Sequence, residues 1–403
     1  MTFSKNKSIL KTVKRFRAYK YRLCPTRKQE ILLAKHFGAC RWVYNYALSK
    51  KIEYYIKEKK SLSRFDISKE LVTLKKEEET SWLSEVNAQS LQASLVNLDM
   101  AYTKFFREKK GFPKFKSKRT KQSIQFPQYT KIDFEKNKLY IMKFKEGIKC
   151  NFSRTFDGKI KTTTISKTTT NKYFVSILIE EEVPEIQKSK PLIETAVGID
   201  LGIKSFLVTS KGDVFDNPKY LKSSSNKLKR EQRKLSIKKK GGKNREKQRL
   251  KVALLHEKIT NQRNDFLHKV SRQLVNDNQV NTYCLETLNV GGMLKNHCLA
   301  QAISDAGWST FVTYLTYKAN WAGKSILQIG RFEPSSKTCN VCGKVNHNLT
   351  LKDREWLCSC GAKHDRDFNA ACNIRDFAFD NQNTLGQGMS EFTLGETGNC
   401  SGQ

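Results

Sequence analysis

The first half of the chain alternates between strand and helix patterns. The segment TVKRFRAYKYRL alternates basic with apolar residues, which is typical of a strand with one solvent-exposed face. Thr26 and Gln29 then form a capping-box pattern, and the helical pattern continues over residues 30–60. A second helical run ends at Gly111, after which residues 120–195 return to strand patterns such as KYFVSILIEEE.

The second half begins after a linker-like segment, EVPEIQKSKPLIETA. The segment AVGIDLGIKSFLVTS predicts two apolar strands joined by a glycine turn. Residues 219–277 are lysine-rich and helical in character, and Gly241 with Gly242 breaks them into a predicted helical hairpin. NTYCLETLNV predicts a further buried strand. The whole pattern indicates an α+β chain of two or three domains.

The charge of the chain indicates a polyanionic partner. Lysine and arginine number 75 against 39 aspartates and glutamates, a net charge of +36 over 403 residues. Such an excess repels itself in a compact protein unless a polyanion neutralises it, and nucleic acid is the polyanion that fits best. We therefore interpret the lysine-rich hairpin as a surface that faces nucleic acid, the alternative being a merely solvated face.

The sequence also predicts a compartment. No stretch approaches the ~18 consecutive apolar residues of a membrane-spanning helix, and the N-terminus has no apolar core of a secretory signal. Eleven cysteines in an intracellular chain are expected to stay unpaired. We therefore expect a protein of a reducing cytoplasm.

One predicted loop combines cations with aromatic side chains. GFPKFKSKRTKQ places Lys114, Lys116, Lys118 and Arg119 around two phenylalanines. Cations that contact phosphates and rings that stack on bases are a typical composition for binding single-stranded nucleic acid. A basic loop pinned by two core phenylalanines fits the same composition, so both interpretations stay open for any single residue.

Three carboxylates stand where an ionised group is costly. Asp200 in VGIDLGI and Glu286 in YCLETLN interrupt apolar strands, and Asp367 in DRDFNAA precedes a predicted helix. Each could be paired with a lysine or a backbone cap, but the three together favour a shared site. Gly198 and Gly202 would let a bulky backbone approach the strand that carries Asp200.

Clustered carboxylates need cations, and hard oxygen ligands select magnesium or manganese. Two such ions ~3.5–4 Å apart promote phosphodiester cleavage. Asp365 is the alternative to Asp367 in this site. We choose Asp367 because it lies closer to a helix that opens with Ala370 and Ala371, whose small side chains permit close packing on a sheet. Asp365 would then orient the site rather than bind metal.

Four cysteines have the spacing of two metal-binding knuckles, and they are Cys339, Cys342, Cys358 and Cys360. The first pair is C-x-x-C, whereas the second pair is one residue shorter. Two knuckles ~15–20 residues apart typically bind a tetrahedral zinc ion as a zinc ribbon. His364 could replace one ligand, Cys372 is a more distant candidate, and reduced, unligated thiols are the alternative. Because the protein would supply all four ligands, we expect a structural zinc.

Several motifs together resemble a known family. They run in order along nearly the whole chain and are RWVYNYAL, TSWLSEV, GFPKFKSKRT, VGIDLGIKSF, NDFLHKVS, LETLNV, ISDAGW, SSKTCNVCG and HDRDFNAACNIRD. The last two and GIDLG are the specific ones. On these motifs the sequence resembles TnpB, the RNA-guided DNA endonucleases encoded by insertion-sequence transposons and related to type V CRISPR effectors.

The resemblance implies a domain organisation. It implies an N-terminal β-barrel wedge domain, a helical recognition domain inserted into it, and a RuvC-like nuclease domain of the RNase H type that carries a zinc ribbon. The corresponding ranges are 1–25 and 120–195 for the wedge domain, 26–119 for the recognition domain, 196–403 for the nuclease domain, about 333–364 for the ribbon, and about 380–403 for a tail expected to be disordered.

The resemblance also implies site residues and partners. Asp200, Glu286 and Asp367 would hold magnesium or manganese and catalyse cleavage, and the four cysteines would hold zinc. The partners would be a guide RNA from the transposon end and a double-stranded DNA target beside a short target-adjacent motif, with no membrane and no small-molecule substrate. The location would be the cytoplasm of a bacterium or archaeon, with nucleoid association when the protein is bound to DNA. Base pairing would supply sequence choice, while Gln92 and residues 111–119 would contact the flanking motif.

Three rival functions remain for comparison. A nuclease-inactive, RNA-guided repressor would share the fold, but such relatives lack one or more of the acids that this chain keeps. A DNA-strand transposase would need an arrangement such as paired histidines with a tyrosine, which the six histidines do not offer. A plain zinc-ribbon nucleic-acid-binding protein would leave Asp200 and Glu286 without a role. We therefore predict an active RNA-guided DNA endonuclease.

Overall fold

The structure, a computed structural model, describes residues 12–119, 121–350 and 352–384. The chain divides into two compact units between Glu185 and Ile186, a boundary that lies inside the predicted linker. The end of the predicted tail, residues 385–403, lies outside the described residues. No helix in the described ranges is long and apolar enough to cross a membrane.

The first unit contains a seven-stranded antiparallel sheet. Its strands are β1 (Thr12–Cys24), β2 (Gln122–Phe126), β3 (Lys131–Asp133), β4 (Lys138–Ile141), β5 (Phe144–Asn151), β6 (Lys159–Lys167) and β7 (Tyr173–Pro184). Their order in the sheet is β2-β6-β7-β1-β5-β4-β3, so the predicted basic strand β1 is central. Since β2 and β3 are sheet edges, hydrogen bonding among the described residues does not close the sheet, and the predicted β-barrel is not confirmed.

Three α-helices complete the first unit, and they are α1 (Arg27–Glu58), α2 (Arg64–Leu74) and α3 (Ala88–Glu108). The predicted capping box is present at α1: the Thr26 hydroxyl accepts from the Gln29 backbone N–H, and the Gln29 side chain accepts from the Thr26 backbone N–H. α3 ends before the predicted Gly111, because Lys109 adopts a left-handed conformation with φ 51°. Neither α2 nor the 3₁₀ helix Glu78–Glu85 was predicted.

The second unit is built on a five-stranded sheet. Its strands are β8 (Ala196–Leu201), β9 (Ser205–Thr209), β10 (Val214–Asp216), β11 (Thr282–Glu286) and β12 (Ser325–Ile329), in the order β10-β9-β8-β11-β12. β8, β11 and β12 are parallel, whereas β9 and β10 run antiparallel to their neighbours. The predicted strand–turn–strand at the start of this unit is therefore the β8–β9 hairpin.

Six α-helices and a two-stranded ribbon accompany this sheet within the described residues. They are α4 (Tyr220–Ile237), α5 (Lys243–Val275), α6 (Val290–Met293), α7 (Ala300–Ala306), α8 (Trp308–Trp321) and α9 (Arg366–Thr384), with β13 (Glu355–Leu357) and β14 (Lys363–Asp365). α4 and α5 form the predicted lysine-rich hairpin, and the turn between them contains Gly241 and Gly242.

Side chains of β8 alternate between two apolar layers. Val197 and Ile199 belong to the larger core, which also contains residues of α5 and α8. Ala196 belongs to a smaller core with Ile374 and Ala378 of α9. Because successive strand residues point to opposite faces, α9 covers the face that also carries positions 198 and 200.

The contact between α9 and β8 depends on a glycine. A Cβ atom at Gly198 would lie 1.9 Å from the carbonyl oxygen of Ala371 and 2.8 Å from the backbone nitrogen of Arg375. The close approach predicted for Gly198 is therefore confirmed. Gly202 has a different role, because its Cβ would instead meet the Ser205 carbonyl oxygen at 2.7 Å within the β8–β9 turn.

We expect Gly198→Ala to destabilise the second unit. An added methyl group must push the α9 backbone away from β8, and such overpacking costs ~1–3 kcal/mol or more. The midpoint of thermal unfolding should fall by about 5 °C or more. Gly291→Ala is the control, since its added Cβ meets nothing closer than 3.9 Å. Equal midpoints for the two variants would contradict the packing assigned to Gly198.

Candidate active site and metal centre

Asp200 and Glu286 lie side by side at the carboxyl ends of two parallel strands. The register pairs Ile199 of β8 with Leu285 of β11, and one further residue along each strand places Asp200 beside Glu286. In-register positions on neighbouring strands point their side chains to the same face of the sheet. Both carboxylates are half-buried.

α9 carries the third acid, Asp367, in its first turn. The Asp365 carboxylate accepts hydrogen bonds from the backbone N–H groups of Asp367 at 3.0 Å and Phe368 at 2.9 Å, which is the geometry of a helix N-cap. The helix thus begins at Arg366, four residues before the predicted opening at Ala370. Asp367 lies one turn before Ala371, so it shares the helix face that contacts β8.

The three carboxylates act on one another electrostatically. Burial, followed by the negative charges of Asp367 and Glu286, raises the pKa of Asp200 to about 7. Burial also raises the pKa of Glu286. The structure therefore brings all three sequence-predicted acids into one electrostatic environment, although they come from β8, β11 and α9.

Two arginines that the sequence analysis missed contact Asp367. Arg354 lies 3.1 Å from its Oδ2 atom, and Arg366 lies 2.8 Å from its Oδ1 atom. Their positive charges also oppose the rise in the pKa of Asp200. The DRD run in the sequence is a signal for Arg366, whereas nothing in the local pattern marks Arg354, which precedes β13.

The acidic residues fit a hard divalent cation by their chemistry. They offer several carboxylate oxygens in a half-buried place where their mutual repulsion is unfavourable, and magnesium and manganese prefer such ligands. Among the described residues, the cysteines form the one group of candidate ligand atoms that already converges on a metal-sized point, and the three acids do not. Asp367 would have to exchange an arginine contact in order to bind a metal ion.

The four predicted cysteines converge on one point. Their sulfur atoms all lie within 4.8 Å of one another. Cys339 and Cys360 are 3.8 Å apart, and Cys342 and Cys358 are 3.6 Å apart. A tetrahedral ion with metal–sulfur bonds of ~2.3 Å requires sulfurs ~3.8 Å apart. The cluster therefore has the dimensions of a four-thiolate metal site.

The shorter second knuckle keeps the backbone hydrogen bonds of the first. In the first knuckle Gly343 donates to the Cys339 carbonyl at 2.9 Å, and in the second Gly361 donates to the Cys358 carbonyl at 2.9 Å. Both glycines have positive φ, 72° and 88°, which glycine adopts without strain. The second turn is thus one residue shorter than the first between its hydrogen-bonded residues, and all four thiols still converge.

Charge on the thiols also favours a cation. A backbone N–H of Cys360 lowers the pKa of Cys358 to about 6. A backbone N–H of Lys344 lowers the pKa of Cys342, but the neighbouring thiols outweigh it and raise that pKa to about 12. Four thiols at this distance do not all ionise unless a positive ion compensates them.

The two other candidate ligands lie outside the four-sulfur group. His364 places its Nε2 atom 3.1 Å from the Cys339 sulfur, and its ring packs tilted against Trp356 with ring centres 4.6 Å apart, so it supports the cluster from outside. Cys372 is buried on α9. The ten cysteines in the described ranges are free of disulfides, as predicted; Cys400 lies outside those ranges.

Two buried asparagines of α9 hold the first knuckle. Asn369 donates to the Thr338 carbonyl at 2.7 Å and accepts from the Asn340 backbone N–H at 3.0 Å. Asn373 donates to the carbonyls of Thr338 at 2.6 Å and Ser335 at 2.7 Å. The two asparagines are four residues apart in NAACN, so they lie on one helix face. This spacing was a signal for a shared contact, and sequence reasoning missed it.

The predicted nucleic-acid-binding residues lie in the first unit and are mostly exposed. Gln92 is exposed on α3, as are Lys114, Lys118 and Arg119 in the following loop. Lys116 differs, because its ammonium group lies 3.8 Å from the centre of the Tyr44 ring. The two phenylalanines of this loop are also exposed, 46% for Phe112 and 56% for Phe115, so they do not pin the loop as core residues.

Comparison with known proteins identifies the family. A protein of Streptomyces pristinaespiralis named "Putative RNA-guided DNA endonuclease" is 41% identical over 362 residues, which cover 89% of this chain and 88% of the relative. The InsQ protein of Escherichia coli K12, with the same description, is 32% identical over 380 residues, covering 90% of this chain and 92% of the relative. The chain belongs to the TnpB family of RNA-guided DNA endonucleases.

Domain and fold comparisons agree with membership of the TnpB family. A family model described as "Probable transposase" matches residues 176–297, and one described as "Cas12f1-like, TNB domain" matches residues 308–374. A solved Cas12f1–sgRNA–target DNA complex shares the fold, with a TM-score of 0.54 at 14% identity over 90% of this chain and 99% of the Cas12f1 chain. A "Helix-turn-helix domain" model matches residues 15–60, where this structure instead has β1 followed by the single long helix α1.

The raised pKa of Asp200 predicts a pH dependence for the metal-free protein. Because the folded pKa lies near 7 and the ordinary value is 3.8, the folded state binds this proton more tightly. Stability from this group is therefore present below pH 4 and is lost as the pH rises towards 7. Asp200→Asn should remove that loss and raise the midpoint of thermal unfolding at pH 7.5 by a few degrees, measured in a chelator. An unchanged midpoint would contradict the crowding of the three acids.

Proposed function

We propose that this chain is an RNA-guided DNA endonuclease that hydrolyses phosphodiester bonds at Asp200, Glu286 and Asp367. The observation that carries the proposal is the placement of these three acids. Asp200 and Glu286 lie side by side at the carboxyl ends of β8 and β11, and Asp367 lies in the first turn of α9, where its charge acts on Asp200. The relatives named as RNA-guided DNA endonucleases support the same activity. A repressor without nuclease activity needs no such costly cluster of acids.

Magnesium or manganese is the cofactor that fits the acidic residues. Asp200, Glu286 and Asp367 would hold it, and when bound it polarises the phosphodiester and makes a nucleophile available at neutral pH. Arg354 and Arg366 orient the Asp367 carboxylate through the contacts described above. In the metal-free protein the raised pKa of Asp200 favours its protonated form, and a bound cation would release that proton.

Zinc is the ion that fits the four cysteines. Four thiolates with no open position form a structural rather than a catalytic site. In this proposal the zinc ribbon spans about residues 333–364. It holds the loop that Asn369 and Asn373 bind, and so contributes to the placement of α9.

The proposed partners are a guide RNA from the transposon end and a double-stranded DNA target. The net charge of +36 supports binding of such a polyanion. Pairing with the guide would choose the target sequence, and the basic hairpin α4–α5 would contact the phosphate backbone. Gln92 and the loop with Lys114, Lys118 and Arg119 would contact the flanking motif. A cytoplasmic, nucleoid-associated location suits these partners.

The central test measures guided cleavage. The chain is purified with co-expressed transposon-end RNA and given magnesium and a target library with randomised flanks. We expect cutting only at guide-matched targets. Asp200→Ala, Glu286→Ala and Asp367→Ala should each reduce the rate at least ~10³-fold, because each removes a metal ligand.

The matched control for these variants is Asp365→Asn. It removes a neighbouring negative charge but keeps an oxygen that can cap α9. We expect cleavage within about threefold of the parent. Guided binding without cutting by the parent chain would favour the repressor instead, and full activity of Asp367→Ala with inactive Asp365→Asn would reverse the assignment of those two acids.

Removal of a cluster cysteine should remove zinc and stability together. We expect the purified parent chain to contain about one zinc per molecule, and Cys358→Ser to contain much less and to be cut faster by protease between residues 335 and 365. Cys298→Ser is the control, because Cys298 is exposed and outside the cluster. Full zinc content in Cys358→Ser would show that the shortened knuckle is not a ligand pair.

A further inference from the structure

An open groove in the first unit lies outside the residues assigned so far. It runs between α1 and the 3₁₀ helix Glu78–Glu85 and encloses a volume of about 530 Å³. One face of α1 forms its floor, since Lys35, Gly38, Trp42 and Asn45 recur at helical spacing. Trp82 forms the opposite wall.

The walls of the groove present a fixed aromatic surface. Trp42 and Trp82 pack edge to face, with ring centres 5.8 Å apart, and Tyr46 stacks on Trp42 at 5.1 Å. The indole N–H of Trp82 donates to the Glu79 carbonyl at 3.0 Å, which holds the ring in place. Trp82 nevertheless remains 37% exposed, so the groove leaves aromatic surface available to a ligand.

Gly38 keeps the floor of the groove open. It lies in the interior of the 32-residue helix α1, where glycine is unfavourable. An added Cβ would meet nothing nearer than the Arg41 side chain at 4.0 Å. Packing therefore does not require glycine at this position, whereas a larger side chain would fill the groove.

The charges around the groove suit a nucleotide. Lys35 and Arg41 line it, and Lys35 neutralises the one lining acid, Glu85, in an ion pair. Asn45 binds the backbone of Lys116 in both directions, accepting from its N–H at 2.7 Å and donating to its carbonyl at 2.9 Å. The groove is thus continuous with the basic loop that contains the predicted nucleic-acid-binding residues.

We propose that this groove binds one unpaired nucleobase against Trp42 and Trp82, with the adjoining phosphate beside Arg41. Aromatic surface next to cations is the recurring arrangement for unpaired bases, because every base has a face that can stack. The proposal rests on the proposed function, in which the chain binds a guide RNA and a DNA target. The base comes from either of these strands, and the test separates the two.

The test uses the full-length chain without guide or metal, so that its result does not depend on cleavage. Tryptophan fluorescence and affinity are measured during titration with short oligouridine and short oligothymidine, at a salt concentration that suppresses phosphate-only binding. We expect quenching by the strand that supplies the base. Trp82→Leu should weaken that binding about tenfold, in line with the loss of one base–aromatic stack, and Trp82→Phe should largely restore it.

Two further variants keep the test decisive. Gly38→Leu fills the groove while improving helix propensity, so it should abolish quenching in a folded protein even if Trp82→Leu fails to fold. Phe65→Leu is the matched control, because Phe65 is also an exposed ring beside an arginine, Arg64, but does not line the groove. It should leave binding unchanged.

The two proposals fail in different ways. Unaltered affinity and quenching in Gly38→Leu, or no quenching of the parent chain by either oligonucleotide, would overturn the groove while guided cleavage by the parent still upholds the nuclease. No guided cleavage by the parent chain, together with quenching that Gly38→Leu abolishes, would overturn the nuclease while upholding the groove. Equal effects of Phe65→Leu and Trp82→Leu would also overturn the assignment of the groove.

Discussion

The second unit depends on the contact between two backbones at Gly198. The carbonyl oxygen of Ala371 occupies space that any side chain at position 198 would need. Asp200 lies two residues after Gly198 on β8, and Asp367 lies one helical turn before Ala371 on α9. The separation of these two acids is therefore set by main-chain packing, which is stiffer than any arrangement of long side chains.

The same helix ties the acids to the cysteine cluster. Asn369 and Asn373 are almost completely buried, and each donates its side-chain N–H to the Thr338 carbonyl, next to Cys339. Buried amides that lost these partners would be costly, so the knuckle and the helix resist moving apart. Cysteines, a capping acid and a candidate catalytic acid therefore occur within a few residues of one another. The N-terminal part of α9 both holds the cysteine cluster and positions Asp367.

Sequence reasoning worked where one local pattern determines the structure. The basic strand β1, the Thr26 capping box, the break at Gly241 and the strands carrying Asp200 and Glu286 all follow from periodicity or turn chemistry. It failed where tertiary contacts decide. α9 begins at Arg366 because the Asp365 carboxylate caps it, and DRD did not look like a helix start. The edges of the first sheet depend on which strands pair with each other, and strand pairing cannot be predicted from a local sequence pattern.

Arg354 and Arg366 explain how such an acidic group of residues can fold before any metal arrives. Burial raises the pKa of Asp200, and repulsion by the negative charges of Asp367 and Glu286 raises it further. The two arginines lower that repulsion from the Asp367 side, where they bind both carboxylate oxygens. A metal ion must compete with them for Asp367, whereas within the described ranges no ion pair engages Asp200 or Glu286. In the proposed metal site, the two strand-borne acids are therefore the more available ligands, and Asp367 of α9 would complete the set.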